Sequence, residues 1–141
     1  MSTAHKPLKS LRIIHAIFLL AAICYLIVPL RLINVQSQAP PRVFAVAIGA
    51  TAITTLGVAA FYRQRLIRPS SETLRNNPED TAALLSWVRG TMISFVCCES
   101  VVLFGLVLRV TGVPWNICGI FYAVGILFLL AWAPKLELPP E

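Results

Sequence analysis

The sequence predicts an all-α integral membrane protein, a bundle of four transmembrane helices with both termini in the cytoplasm. Of its 141 residues, 57% are hydrophobic and only 13% are charged, whereas soluble domains carry about 25% charged residues. The hydrophobic residues form four segments joined by short polar stretches. Because a span needs roughly 20 apolar residues, the chain has room for four spans in a single transmembrane domain.

The first predicted span covers residues 11–30 and follows a basic N-terminal segment. Its apolar run is longer than the core of a usual signal peptide, and Pro40 would directly follow the small-residue sequence 37–39. We therefore expect this segment to stay in the protein as a span. Pro29 lies in its last turn, where a proline can kink or end the helix.

The second predicted span, residues 43–62, is rich in small side chains. Ala45, Gly49 and Ala52 fall close to one face of the helix. Small residues on one face let two membrane helices approach closely. We therefore expect this face to pack against a neighbouring helix.

A polar segment, residues 63–86, is predicted to be a cytoplasmic loop, and the third and fourth spans follow at 87–110 and 115–133. Within the loop, residues 77–80 are typical of a helix N-terminus, with Asn77 as the N-cap, Pro78 at the first helical position and two acidic residues in the first turn. The third helix is therefore expected to begin before its span. A Thr-Gly-Val-Pro sequence between the last two spans predicts a tight turn.

The positions of the basic residues predict the orientation. The formal net charge is +6, and most cationic side chains lie in the N-terminal segment and in residues 63–89. By the positive-inside rule, both termini and the 63–86 segment face the cytoplasm, in the inner (plasma) membrane of a bacterium. Since these charges flank apolar segments, the expected partner is the lipid bilayer with its anionic headgroups, and not nucleic acid.

Glu99 is the only carboxylate well inside a predicted span, about 15–18 Å from its inner end at 1.5 Å per residue. A charged group is costly at this depth, so such a residue marks a functional site by default. In a dry site its carboxyl group would favour the neutral form and could exchange a proton. Tyr25, Thr54 and Tyr122 fall at comparable depth as candidate hydrogen-bond partners. Glu99 is therefore either a proton, cation or intersubunit site, or a protonated acid bonded to such a neighbour.

Helical spacing places Glu99 roughly opposite a small-residue face of the third helix. Gly90, Ser94 and Gly105 lie on that face, together with the cysteine pair 97–98. Small residues favour close helix packing. If this face packs inside the bundle, Glu99 points toward lipid, a cavity or another subunit, and lipid is the least favourable of the three.

The other residues with reactive side chains do not predict an enzyme. His15, near the cytoplasmic end of the first span, could relay protons, but we expect it to hydrogen-bond near the interface instead. It is the one histidine inside a span, so a bis-histidine haem site within this chain is not expected. The four cysteines lie in apolar runs without metal-ligand spacing and are expected to be small packing residues. We therefore expect no cofactor, no metal and no enzymatic activity.

A helix rich in small residues, then the pair Arg63-Gln64, then the mid-span carboxylate Glu99 follow one another along the chain. In this order residues 43–110 resemble the helical hairpin of the rotary-ATPase proteolipids (subunit c). The resemblance implies that Glu99 is the proton-carrying carboxylate and that Arg63-Gln64 lie in the loop facing the rotor stalk. The family has a proline after Arg-Gln where this chain has Arg65, and its loop is shorter.

The expected function is that of a small structural or accessory subunit of a larger membrane complex, which packs against other membrane chains or against copies of itself. The small-residue faces, the single buried acid and the short loops favour this hypothesis. The alternative is a proton- or cation-coupled carrier or channel component that uses Glu99.

Overall fold

Four helices, without a strand, make up the part of the chain that the computed structural model describes, residues 5–31 and 42–134. Its elements are α1 (His5–Arg31), α2 (Arg42–Tyr62), a π-helical turn (Arg63–Ile67), α3 (Arg68–Asn76), α4 (Thr81–Val110) and α5 (Trp115–Ala131). The segments α2, π turn and α3 form one continuous helix. The prediction of an all-α fold with four helices is therefore confirmed.

Three of the four helices are long and apolar enough to cross a membrane, over Lys9–Val28, Val43–Asn76 and Thr81–Val110. The fourth, α5, is apolar but has only 17 residues. Large apolar side chains are exposed on the outer faces of all four helices. Because soluble monomers rarely expose large continuous apolar surfaces, this arrangement favours a membrane environment.

The α4 helix lies at the centre of the bundle and contacts α1, α2, α3, α5 and the π turn. Its Phe95, Cys98 and Val102 are fully buried and belong to one core with Ala22 of α1 and Leu129 of α5. The third predicted span is therefore the helix on which the rest of the fold is assembled.

The prediction of a loop is wrong for residues 63–76, which are helical, and only residues 77–80 lie between helices. The helix start that we expected before the third span is present, at Thr81. Pro69 explains the shape of the junction. It has no N–H to donate, and its ring would crowd the Arg65 carbonyl in a regular α-helix. Just before it the chain widens into the π turn, in which the Arg68 N–H donates to the Arg63 carbonyl. The helix therefore continues past its proline.

We did not predict α3 as a helix because most of its residues are polar and only one narrow face is apolar. Its Leu74 is fully buried and packs with Leu11, Ile67 and Trp87 in a second, smaller core. Most of its charged and polar side chains are exposed. One apolar stripe is enough to hold a short helix against α4, although its composition is that of a polar loop.

The α4 helix begins at Thr81, and its N-cap is Asp80, so the prediction of Asn77 as the cap is wrong. The Asp80 carboxylate accepts hydrogen bonds from the N–H groups of Ala82 (2.9 Å) and Ala83 (3.0 Å). The backbone of Asp80 is extended, which lets the carboxylate reach both free amides. Asn77 is instead the C-cap of α3.

The predicted tight turn after α4 is present. Gly112 has a φ of 89°, and its N–H donates to the Arg109 carbonyl at 3.1 Å. The N–H of Val113 donates to the Leu108 carbonyl at 3.0 Å. This pair of bonds is a Schellman motif, in which a glycine takes the left-handed conformation just after the helix. The turn sets α5 antiparallel beside α4.

Candidate functional site

Glu99 lies on the outward-facing side of α4. Its helical neighbours on that side, Val96, Leu103 and Val107, are 51%, 36% and 44% exposed, and Glu99 itself is half-buried. Within the described part of the chain, its carboxyl group has no hydrogen bond and no ion pair. Glu99 is therefore an unpaired acid on an apolar outer surface, near the middle of the helix.

The three candidate partners of Glu99 do not bond to it in the described structure. The Thr54 hydroxyl donates to the Ala50 carbonyl of its own helix at 3.0 Å and is exposed. The hydroxyl of Tyr122, a buried residue of α5, donates to the backbone carbonyl of Tyr25 at 3.1 Å. The two tyrosines thus form a contact between α1 and α5, and Thr54 bonds within α2, so none of the three bonds to Glu99.

The hydrogen bond between Tyr122 and Tyr25 compensates for a missing bond in α1. In a regular helix the Tyr25 carbonyl would accept from residue 29, but Pro29 has no N–H. A buried carbonyl without a donor costs about 1–3 kcal/mol, and the Tyr122 hydroxyl supplies that donor. The sequence placed both tyrosines at one depth, but we did not predict their hydrogen bond. Pro29 could have indicated it, because a proline there leaves the Tyr25 carbonyl without its usual helical donor.

His15, in the N-terminal half of α1, contacts both α4 and α5. Its Nε2, in the tautomer that carries the proton there, donates to the Leu129 carbonyl at 2.9 Å. Its ring centroid lies 5.0 Å from that of Phe95. Leu129 is in the last turn of α5, where backbone carbonyls lack partners within their own helix. The hydrogen bond that we expected for His15 is therefore present, and it links α1 to α5.

Small residues make close contacts on the buried face of α4. A Cβ atom on Gly90 would lie 2.8 Å from Ile67 of the π turn, and one on Gly105 would lie 3.1 Å from Phe121 of α5. Ser94 is buried between them and donates its hydroxyl proton to the Gly90 carbonyl at 2.9 Å. These three residues occupy places where a larger side chain would push a neighbouring element away.

Some small residues of α2 pack against a neighbouring helix, and others do not. Ala52 is buried and Ala45 is half-buried, but a Cβ atom on Gly49 would meet nothing within 4 Å. Gly49 and Ala52 border an apolar groove of about 220 Å³ between α2 and α5, with Val101 of α4 also in its lining. The expected close packing therefore holds for part of this face, while Gly49 lies beside open space.

Sequence reasoning missed Gly125 of α5, which makes the closest of these contacts. A Cβ atom there would lie 2.5 Å from Val102 Cγ2 and 3.0 Å from the Cys98 carbonyl oxygen of α4. The signal was present, because a glycine in the middle of an apolar helix often marks a close helix approach.

A small cavity lies at the same end of the bundle as His15, and the sequence did not indicate it. Its volume is about 70 Å³, and its lining includes Arg63, Trp87, Thr91 and Trp132. The Arg63 guanidinium carbon lies 5.3 Å from the centroid of the Trp132 ring. Arg63 and Gln64 thus lie in the π turn, whereas the proteolipid resemblance implies a loop.

Neither a metal-ligand cluster nor a known relative points to a function. In the described ranges, no three His, Cys, Asp or Glu residues are grouped so that they could hold a metal ion. The chain matches no protein-family model, and no curated protein and no solved structure is found to be similar to it.

Proposed function

We propose that this chain is a small membrane-spanning subunit that associates with another membrane-spanning chain through the outward-facing side of α4. The association surface consists of Val96, Glu99, Leu103 and Val107. The partner is an unlike chain of a larger complex or a second copy of this chain. The protein resides in the plasma membrane with both termini in the cytoplasm, an orientation that the distribution of basic residues supports.

The position of Glu99 is the observation that carries the proposal. An ionisable side chain at the centre of a membrane helix costs about 2.5–3.5 kcal/mol when it is transferred from water. Glu99 offsets none of this cost by a hydrogen bond within the described residues. A polar group from a second chain would satisfy the carboxyl group, while the apolar residues around it would pack against that chain.

The experiment is extraction of the protein from its native membrane in mild detergent, followed by measurement of the particle mass. We expect a particle heavier than the 15.5 kDa chain. Glu99→Leu removes the hydrogen-bonding group and is expected to release the monomer. Glu99→Gln keeps a hydrogen-bonding group of similar size and is expected to retain much of the assembly.

The matched control is Ser100→Leu, because Ser100 is also half-buried and adjoins Glu99. Ser100 also lies on the association surface, four residues after Val96 and three before Leu103. Its substitution adds the same apolar side chain without removing the acid, so it is expected to reduce the particle mass much less than Glu99→Leu does. A wild-type protein that is monomeric in its native membrane would contradict the proposal. An assembly that survives Glu99→Leu would show that the contact lies elsewhere.

A carrier or channel component that uses Glu99 is the second candidate function. The same unpaired, half-exposed carboxyl group supports it, because an ionisable group within a membrane span can bind and release a proton or cation. Glu99→Gln is expected to abolish flux in reconstituted vesicles without changing the particle mass. Flux that is unchanged in this variant would eliminate the carrier hypothesis and leave the subunit hypothesis standing.

A further inference from the structure

The small cavity near His15 has a chemical character that the proposed function does not use. The π turn, α4 and the C-terminal end of α5 enclose about 70 Å³ there. A cavity of roughly 10–15 Å³ already holds one water molecule. This cavity therefore has room for several waters or for a small polar group of a ligand.

Arg63 brings a positive charge to this cavity. Its side chain is half-buried, and its guanidinium group packs over the Trp132 ring at 5.3 Å. Among the described residues no carboxylate pairs with it and no oxygen accepts a hydrogen bond from it. The charge of Arg68 is close enough to act on it and adds to the positive potential. Arg63 thus keeps five N–H donors for a ligand.

Trp87 brings a second donor. It is only 2% exposed, and its indole N–H has no acceptor within the ranges that the structure describes. A buried donor without an acceptor costs about 1–3 kcal/mol. The neighbouring Thr91 hydroxyl donates to the Trp87 backbone carbonyl at 2.8 Å but accepts no hydrogen bond from the indole N–H in the described structure. The charged and indole side chains of this cavity therefore present donors that lack acceptors.

We infer that this cavity binds the phosphate group of an anionic phospholipid, with Arg63 and the Trp87 indole N–H as its donors. Phosphate oxygens accept from a guanidinium group in a bidentate geometry. Tryptophan side chains favour the headgroup level of a bilayer, and two of them line this cavity. The exposed Arg68, whose charge acts on Arg63, would help to draw an anionic surface toward it. This binding requires the membrane location proposed above but not the association through Glu99.

The test is native mass spectrometry of the full chain, purified in detergent and supplied with phosphatidylglycerol or phosphatidylcholine. The wild type is expected to retain phosphatidylglycerol in preference to phosphatidylcholine. Arg63→Gln is expected to reduce the retained phosphatidylglycerol about tenfold, the equivalent of about 1.4 kcal/mol. If this variant does not fold, Arg63→Lys keeps the charge without the bidentate geometry, and an intermediate loss is expected.

Arg65→Gln is the matched control. Arg65 lies in the same π turn, also packs over an aromatic ring (Phe61, at 5.6 Å) and is exposed, but it does not line the cavity. Its substitution removes the same charge and is expected to change retention by less than about twofold. Equal losses in the Arg63 and Arg65 variants would mean general attraction to anionic surfaces and would overturn the inference. So would unchanged retention in Arg63→Gln.

Two further measurements separate other sources of the anion. Inorganic phosphate is expected to stabilise the protein against heat much less than phosphatidylglycerol does, and equal stabilisation would overturn the lipid assignment. The C-terminal sequence carries Glu137. If Glu137→Gln and Arg63→Gln destabilise the protein by similar, non-additive amounts, the chain's own carboxylate is the partner of Arg63 and the inference fails. Neither result bears on the particle mass, which tests the role of Glu99.

Discussion

The two sides of α4 differ in how closely a neighbouring helix approaches. The contact between α4 and α5, called the closed seam below, is tight, because a Cβ atom on Gly125 of α5 would meet Val102 and the Cys98 carbonyl of α4. Toward α2 the packing is open in one region, because Gly49 meets nothing within 4 Å and borders an apolar groove of about 220 Å³. Both α2 and α5 pack on α4, and the groove lies between them.

A glycine therefore permits a close approach of two helices but does not cause one. The α4–α5 seam is reciprocal, since Gly105 of α4 also lies against Phe121 and the Cys118 carbonyl of α5. Each helix thus has a glycine at the point where the other helix has a larger side chain. The two glycines of α2, Gly49 and Gly57, have no such counterpart, so these positions leave space instead of a contact.

The largest expected effect comes from filling the closed seam. Gly125→Ala would place a methyl group 2.5 Å from Val102 Cγ2 and 3.2 Å from the Val102 backbone nitrogen. Backbone atoms cannot move aside as a flexible side chain can, so α5 must shift. We expect a loss of about 1–3 kcal/mol in the free energy of unfolding, measured by thermal or denaturant unfolding in detergent. Unchanged stability would indicate that α4 and α5 are less tightly packed at Gly125 than these distances imply.

The next effect concerns the hydrogen bond that fastens α1 to α5 on the closed side. Tyr122→Phe leaves the Tyr25 carbonyl without a donor and is expected to cost about 1 kcal/mol. In a Pro29→Ala background the helix would regain an N–H at residue 29, and the cost of Tyr122→Phe should fall by at least half. A double-mutant cycle measures this coupling. If the cost of Tyr122→Phe is the same in both backgrounds, the bond does not compensate for the proline.

The smallest effect is expected on the open side. Gly49→Ala adds a methyl group to free space, and alanine is the better helix former. We expect a gain of about 0.5 kcal/mol in the free energy of unfolding, measured by the same unfolding assay. Gly57→Ala, also without a neighbour within 4 Å, is the control. Destabilisation by Gly49→Ala alone would mean that α2 closes onto its neighbours in the membrane.

The outward position of Glu99 could be predicted from the sequence, but the absence of a hydrogen-bond partner among the described residues could not. Helical spacing placed this acid opposite Gly90, Ser94 and Gly105, which α4 does bury, while Glu99 stays half-exposed. The buried face is wider than the spacing predicted, because Phe95 and Val102, one turn to either side of Glu99, are also fully buried. Depth along a helix, by contrast, does not determine which side chains meet. Tyr25, Thr54 and Tyr122 share that depth but point to other groups, because rotation about each helix axis is set by packing.

The helical class, the position of the apolar segments, the glycine turn at Gly112 and the half-exposed position of Glu99 could all be predicted from the sequence. These features follow from local chemistry, namely hydrophobicity, backbone freedom and the helical repeat. Three other features could not be predicted in this way: α2 runs through Pro69 into α3, Tyr122 pairs with the carbonyl freed by Pro29, and Arg63 meets two indoles at one cavity. Those outcomes depend on which faces of separate helices come together, and a one-dimensional pattern does not contain the rotation and offset of one helix against another.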